Sequence, residues 1–233
     1  MPVWSVIRDV ALDIAWVLGV LVAMGVVIGL SVIGRKHVPR QPLSPLLTVT
    51  TLFLFELAFL YFGLQRLRIN RAKGLTVKLF DGNPWRGILS GISSGAALIV
   101  CSIVYVVSVQ KMLHLPMPPN PLRILRELRG NTLLSVAFVL TASIVAPICE
   151  EVFFRANIFG SAKAINRTWL GAAMASVLFA FAHLSLVLSP YYIVFSLTMC
   201  WLFTKKRTIA APIAAHMTVN AVACFAALML RRT

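Results

Sequence analysis

Long apolar stretches are the feature that most limits what this chain can fold into. Stretches of 18 or more apolar residues recur, and each is long enough to cross a hydrocarbon core of about 30 Å as a helix. The candidate spans are residues 10–34, 43–65, 87–110, 132–158, 169–188, 190–204 and 208–230. The sequence therefore predicts an all-α fold, a polytopic transmembrane helical bundle of about seven spans within a range of six to eight.

Composition supports a membrane protein and limits its partners. The hydrophobic content is 59% and the mean hydropathy +0.88, whereas soluble domains are about 45–50% apolar. The formal net charge of +15 comes from Lys and Arg in short loops between apolar segments. We expect these loops to contact anionic lipid headgroups, and nucleic acid is not an expected partner.

Orientation follows from the same basic loops. Outside the spans, the side that carries the N-terminus holds 12 Lys and Arg and the other side holds 9, so the positive-inside rule favours a cytoplasmic N-terminus. The first apolar segment is too long for a signal peptide and has no small-x-small cleavage site, so it should remain as a helix. We expect a multi-pass protein of the cell membrane of a prokaryote.

The chain divides near residue 130. Residues 1–130 should hold N-terminal transmembrane helices, loops and an amphipathic interfacial helix that opens at Pro121. Residues 131–233 contain most of the polar residues that lie within apolar segments. The cysteines form no CxxC pair and are interpreted as buried apolar residues; they are Cys101, Cys149, Cys200 and Cys224.

Two adjacent glutamates stand in the apolar stretch CEEVFFR, although the chain has only seven acidic residues. A carboxylate at mid-membrane costs about 2.5–3.5 kcal/mol, which makes each one a functional candidate. Glu151 and Arg155 have the i,i+4 spacing of a helical ion pair. Glu150 is rotated by about 100° from Glu151 and has no such partner, so it can serve as a general base. Pro147 should loosen the helix beside them.

Two later segments repeat the four-residue spacing. Phe179 and His183 share one helix face, and so do His216 and Asn220. Counting residues from the loops places Glu150 and His216 at depths of about 13–15 Å and His183 at about 22 Å. Each residue alone is also what helix packing uses, but together they predict a catalytic site near the midplane.

In order, these segments resemble the motifs EExxxR, FxxxH and HxxxN of the CPBP family, the CAAX prenyl endopeptidase and bacteriocin-processing (Abi) membrane proteins. They read EEVFFR at 150–155, FAFAH at 179–183 and HMTVN at 216–220. The approach IAAPIAAH to the third motif is also similar to the family. The resemblance covers about residues 130–230 and implies a four-helix catalytic core in an intramembrane, metalloprotease-like endopeptidase.

The resemblance also implies roles for individual residues. Glu150 would take a proton from the attacking water, and His183 would hold and orient that water. Glu151 and Arg155 would form the supporting pair. A protein or peptide substrate would reach this site from the bilayer or from the side that carries the loops between the fourth and fifth spans and between the sixth and seventh.

The last motif would stabilise the transition state. His216 and Asn220 would donate hydrogen bonds to the developing oxyanion, and such donors in a dry site are each worth about 2.7–4 kcal/mol. The chain departs from the family in two ways: family members of the prenyl-endopeptidase type have eight spans, and residues before 130 match no family motif. Substrate choice is expected to lie in that N-terminal part.

Other functions fit the same residues. A glutamate and two histidines are legitimate zinc ligands, although HExxH is absent, and the favoured interpretation needs no cofactor. A non-catalytic immunity or scaffold protein would tolerate loss of Glu150. A transporter could use the set as a proton relay, but the sequence shows no paired halves. Glu56, in the second segment, has no assigned role, and the oligomeric state is open.

Overall fold

Six helices make up most of the part of the chain that the computed structural model describes. The described residues are 45–114 and 130–230, with the single positions Arg8, Leu12, Ala15, Trp16, Gly19, Leu125 and Leu128. The helices are α1 Pro45–Ala72, α2 Pro84–Leu113, α3 Thr132–Ala164, α4 Thr168–Ala182, α5 Ser189–Lys206 and α6 Ala210–Leu230. The prediction of an all-α polytopic helical bundle is confirmed.

Two N-terminal predictions fall largely on residues that are not described. The first span, residues 10–34, is described only at Leu12, Ala15, Trp16 and Gly19. Trp16 stacks on Phe62 of α1, with 4.3 Å between ring centroids. The interfacial helix predicted to open at Pro121 lies outside the described residues except for Leu125 and Leu128, which are fully buried.

Helix lengths separate the six helices into two groups. Four are long and apolar enough to cross a membrane by length and composition, namely Leu46–Ala72, Pro84–Met112, Thr132–Ala164 and Ala210–Met229. The helix α4 has only 15 residues, and α5 has 18 residues with Lys205 and Lys206 in its last turn. These two shorter helices carry or adjoin several of the side chains that approach the glutamates.

The end of α4 differs from the prediction. The sequence pattern placed the span at 169–188, but the helix ends at Ala182. Leu184 has a positive φ of 48°, a conformation that cannot continue a right-handed helix. His183 therefore lies at the C-terminal cap of α4, where its ring contacts the Phe179 carbonyl. In contrast, α3 continues past the predicted end at residue 158 to Ala164.

The middle of α3 is not a regular α-helix. Two π-helical segments, Thr141–Val145 and Val152–Phe159, flank the two glutamates. In the first, the Ala146 N–H donates to the Thr141 carbonyl, five residues back. Pro147 has no N–H to donate. The predicted loosening near Pro147 is therefore present, as a wider helical turn.

Small residues bring α2 and α6 into close contact. Gly87, Gly91 and Gly95 lie on one face of α2, at a spacing that permits close helix approach. A Cβ added at Gly91 would be 2.3 Å from the Ala211 carbonyl oxygen, and one at Gly95 would be 2.7 Å from the Ala215 carbonyl oxygen. The contact positions α6, which carries the third motif.

Aromatic rings pack α1 against the centre of α3. Phe59 meets Phe153 edge to face at 4.8 Å, and Phe153 meets Phe154 at 5.0 Å. Gly63 allows this approach, because a Cβ there would be 3.3 Å from the Phe153 backbone. The rings surround the glutamate segment with apolar protein instead of lipid.

Substitution of Gly91 by alanine tests the α2–α6 contact. On a free helix face this change adds up to about 1 kcal/mol of stability. Here the added methyl group would clash with a backbone oxygen. We therefore expect Gly91→Ala to lower the free energy of unfolding by about 1–3 kcal/mol. Thermal unfolding of the detergent-solubilised protein measures it. Ser93→Ala, on an exposed face of α2, is the control and should be nearly neutral.

Candidate active site

The two adjacent glutamates of α3 have different environments. Glu151 is fully buried, and its Oε2 lies 3.0 Å from Arg155 Nε. Its Oε1 lies 2.8 Å from His216 Nδ1. The predicted Glu151–Arg155 ion pair is confirmed, and α6 adds a second partner that the sequence did not indicate.

Arg155 is also fully buried and has contacts on three sides. Besides Glu151, its Nη2 donates to Ser196 Oγ at 3.0 Å. Its guanidinium lies over the Phe179 ring, 4.8 Å from the centroid, a distance typical of cation–π contacts. Sequence reasoning missed Ser196, because a serine in an apolar helix has no local pattern that distinguishes it.

Glu150 is the glutamate without an arginine partner. Its Oε2 lies 4.0 Å from His216 Nε2 and has no hydrogen-bond partner among the described residues. About 15% of its side chain is exposed, whereas Glu151 has none. A carboxylate that is held near a histidine but not neutralised by arginine has the arrangement that a general base needs.

His216 lies between the two glutamates, with one ring nitrogen facing each. Since an ionised Glu151 can only accept a hydrogen bond, Nδ1 must carry a hydrogen. In the neutral ring Nε2 is then an acceptor, and it becomes a donor only when the ring is doubly protonated. His216 can therefore exchange a proton on the side that faces Glu150 while Glu151 holds the ring in place.

His183 approaches the same cluster from the end of α4. Its Nδ1 is 2.8 Å from the Phe179 carbonyl, which only accepts, so a neutral His183 keeps Nε2 free as an acceptor. The Phe179 ring lies between the two histidines, with centroids 4.5 Å from His183 and 5.8 Å from His216. Tyr192 of α5, which sequence reasoning missed, packs on His183 at 4.1 Å.

Asn220 is held by α3 itself. Its Nδ2 donates to the Ala142 carbonyl at 2.9 Å. That carbonyl lacks a partner in its own helix, because the Ala146 N–H goes to Thr141 and Pro147 has no N–H. One amide hydrogen of Asn220 therefore anchors α6 to α3, and the second is available for another acceptor.

A third carboxylate lies beside this group. Glu56 of α1 is 3% exposed, and its Oε2 has no hydrogen-bond partner among the described residues. It is close enough to Glu150 for the two charges to interact. The only sequence signal was a lone acid in an apolar segment, and the packing of α1 against α3 brings it to the site.

The donor set does not fit a metal ion. Within the described ranges, no three His, Cys, Asp or Glu side chains are arranged to hold one. The zinc hypothesis therefore has no set of three protein ligands among the described residues.

The fold and the site together define a class: an integral membrane protein with a buried carboxylate–histidine site on its C-terminal helices. Comparison with known proteins agrees. The family model for type II CAAX prenyl endopeptidase Rce1-like proteins matches residues 132–222. This match covers the region of the three motifs and agrees with their resemblance to the CPBP family.

Two curated bacterial proteins are similar over part of their length. "Putative membrane peptidase YdiL" of Bacillus subtilis is 32% identical over 82 residues, which cover 35% of this chain and 34% of the relative. "UPF0177 protein YxdF" of Lactococcus lactis is 35% identical over 79 residues, covering 33% and 42%. The chain thus spans well under half the length of either relative. Among solved structures, none matches at a significant level.

Removal of Arg155 tests how far the buried charges depend on one another. Arg155→Met leaves Glu151 without its main counter-charge, so we expect a loss of about 3–5 kcal/mol in the free energy of unfolding. The double variant Glu151→Gln/Arg155→Met should recover part of that loss, because no unpaired charge remains. Unfolding in detergent, analysed as a double-mutant cycle, measures the coupling. Additive losses would contradict the pairing.

Proposed function

We propose that this protein is an intramembrane endopeptidase that hydrolyses a peptide bond of a membrane-associated or lipidated protein or peptide. The observation that carries the proposal is that the two glutamates have different ion-pair and hydrogen-bond partners. Glu151 is neutralised by Arg155 and bound to His216, while Glu150 keeps an oxygen without a hydrogen-bond partner in the described part of the chain. The family match and the name of one relative support a membrane protease.

The proposed first step is proton transfer from water to Glu150. A water between Glu150 and the free Nε2 of His183 donates one hydrogen to each. As its oxygen attacks the scissile carbonyl carbon, the proton moves to the Glu150 carboxylate and the carbonyl π electrons move to the oxygen. Collapse of this intermediate breaks the C–N bond, and the proton passes from Glu150 to the leaving amine.

The developing oxyanion needs donors in a site that excludes water. The geometry supports two donors: Nε2 of a doubly protonated His216 and the second amide hydrogen of Asn220. Glu151 stabilises the charged ring through its contact with Nδ1. The Asn220 bond to Ala142 fixes the direction of the amide, so little reorganisation is needed during the reaction.

The same proposal covers location and partners. The chain would lie in the cell membrane of a prokaryote with its N-terminus in the cytoplasm. The distribution of Lys and Arg supports this orientation, and both relatives come from bacteria. The substrate would enter from the bilayer or from the side that carries the α3–α4 and α5–α6 loops.

Glu150→Gln is the direct test. It removes the base but keeps the size of the side chain, and Glu150 has no ion pair with arginine, so folding should persist. We expect peptide-bond cleavage in proteoliposomes to fall by about 10²–10⁴-fold. Ser93→Ala, on an exposed face of α2 and outside both the glutamate site and the α1–α2 loop, is the control and should retain cleavage.

The inactive variant also identifies the substrate. Peptides retained by the Glu150→Gln protein in native membranes can be captured with it and sequenced by mass spectrometry. Cleavage of a captured peptide by the unmodified protein, and not by Glu150→Gln, completes the test. Equal activity of the two proteins would reject catalysis by Glu150 and favour an immunity or scaffold role.

A further inference from the structure

A pocket separate from the glutamate site lies at the end of the bundle where α3 and α5 terminate. This cavity of about 230 Å³ is lined by three cations, one acid and apolar side chains. The charged residues are Lys78, Asp81, Lys163 and Arg207, and the apolar walls include Val77 and Phe203. We call it the loop-end pocket.

Three separate segments of the chain supply the cations. Lys78 comes from the α1–α2 loop, Lys163 from the last turn of α3, and Arg207 from the residue that caps α5. Solvated cations on a surface repel one another and spread apart. Their convergence on one cavity is a property of the tertiary structure, and it indicates an anionic occupant.

The pocket is fixed by backbone contacts between two loops. The Arg207 carbonyl accepts hydrogen bonds from the Asp81 and Gly82 N–H groups, at 2.9 and 2.8 Å, and the Ile209 N–H donates to the Leu79 carbonyl at 2.8 Å. Arg207 has a positive φ of 54°. A non-glycine residue keeps this conformation only where its surroundings impose it. The backbone from which the Arg207 side chain extends is therefore held in place.

The charges of the pocket are not balanced internally. Asp81 forms ion pairs with both Lys78 and Arg207, and the Arg207 hydrogen bond lowers the pKa of Asp81, so Asp81 is ionised at neutral pH. Lys163 has no carboxylate partner among the described residues and lies 6.0 Å from the Phe203 ring centroid. Three cations and one acid leave two positive charges for a ligand.

Aromatic side chains place the pocket at the level of the lipid headgroups. Trp85 and Phe80 on the α1–α2 side, and Trp169 at the start of α4, lie at the same end of the bundle and are strongly exposed. Tryptophan concentrates at the boundary between hydrocarbon and water. The pocket therefore lies near the depth of the headgroups. Its partly exposed apolar side chain is Val77, a surface that inorganic phosphate does not need, and the Phe203 ring is buried.

We propose that the loop-end pocket binds the phosphate of an anionic phospholipid. Lys163 and Arg207 donate charge-assisted hydrogen bonds to the phosphate oxygens. The glycerol and the upper acyl chain lie along Val77. A glycine shapes the cavity: a Cβ at Gly160 would be 2.7 Å from Val77 Cγ1. The proposal does not depend on the endopeptidase activity.

Lipid binding to the purified full chain tests it. Native mass spectrometry would count phosphatidylglycerol and phosphatidylcholine of identical acyl chains retained by the protein as each lipid is titrated. We expect one preferred phosphatidylglycerol site. Lys163→Gln should weaken it about fivefold or more, and Lys163→Arg should restore it. Arg207→Gln should have a similar effect, with unfolding measured in parallel to confirm that the loops stay folded.

Matched controls separate this pocket from general surface charge. Arg86→Gln removes a cation at the same end of the bundle but outside the pocket, and Lys111→Gln removes one from the last turn of α2 at the other end. Both should leave the preferred site intact. Equal losses in all the glutamine variants, or no preference for phosphatidylglycerol, would overturn the proposal. Displacement of the lipid by inorganic phosphate alone would also overturn it, in favour of a free-phosphate site.

Discussion

The structure depends on one buried charge network, in which Glu151 is shared by Arg155 and His216. Two charges without access to water are costly unless each one is paired and hydrogen-bonded. Ser196 and the Phe179 ring complete the surroundings of the guanidinium, so the network joins α3, α4, α5 and α6. Because Arg155 pairs with Glu151 and not with Glu150, the two glutamates differ in charge environment, and the proposed chemistry follows from that difference.

The irregular backbone of α3 is the second condition for the site. Non-helical backbone at membrane depth is tolerated only where protein covers it, and here the aromatic rings of α1 and α4 provide the cover. The wide turn at Thr141–Val145 exposes the Ala142 carbonyl, which Asn220 then binds. The carbonyl left free by the irregular turn of α3 thus accepts the hydrogen bond that holds α6 in position.

The loop end of the bundle combines two kinds of contact. From their first turns, α2 and α6 approach through glycine and alanine, because lipid gives apolar helices little reason to associate and close packing must do so. At the loop end, where water is near, backbone hydrogen bonds join residues 79–82 to 207–209. These contacts hold Arg207 at the cavity that Lys163 of α3 also lines. The basic side chains at this end of the bundle therefore have a fixed arrangement.

The sequence by itself determined whatever depends on helical period and span length: the all-α membrane fold, the Glu151–Arg155 pair at i,i+4 and the loosening near Pro147. It misplaced the end of α4, because a left-handed residue at Leu184 leaves no mark in hydropathy. Only the tertiary structure decided that His216 faces both glutamates, that Asn220 binds the Ala142 carbonyl and that Glu56 is buried on a helix packed against α3. The physical reason is that helical spacing fixes the neighbours of a residue within about one turn, whereas contacts between helices depend on rotation, tilt and depth, which many distant residues set together.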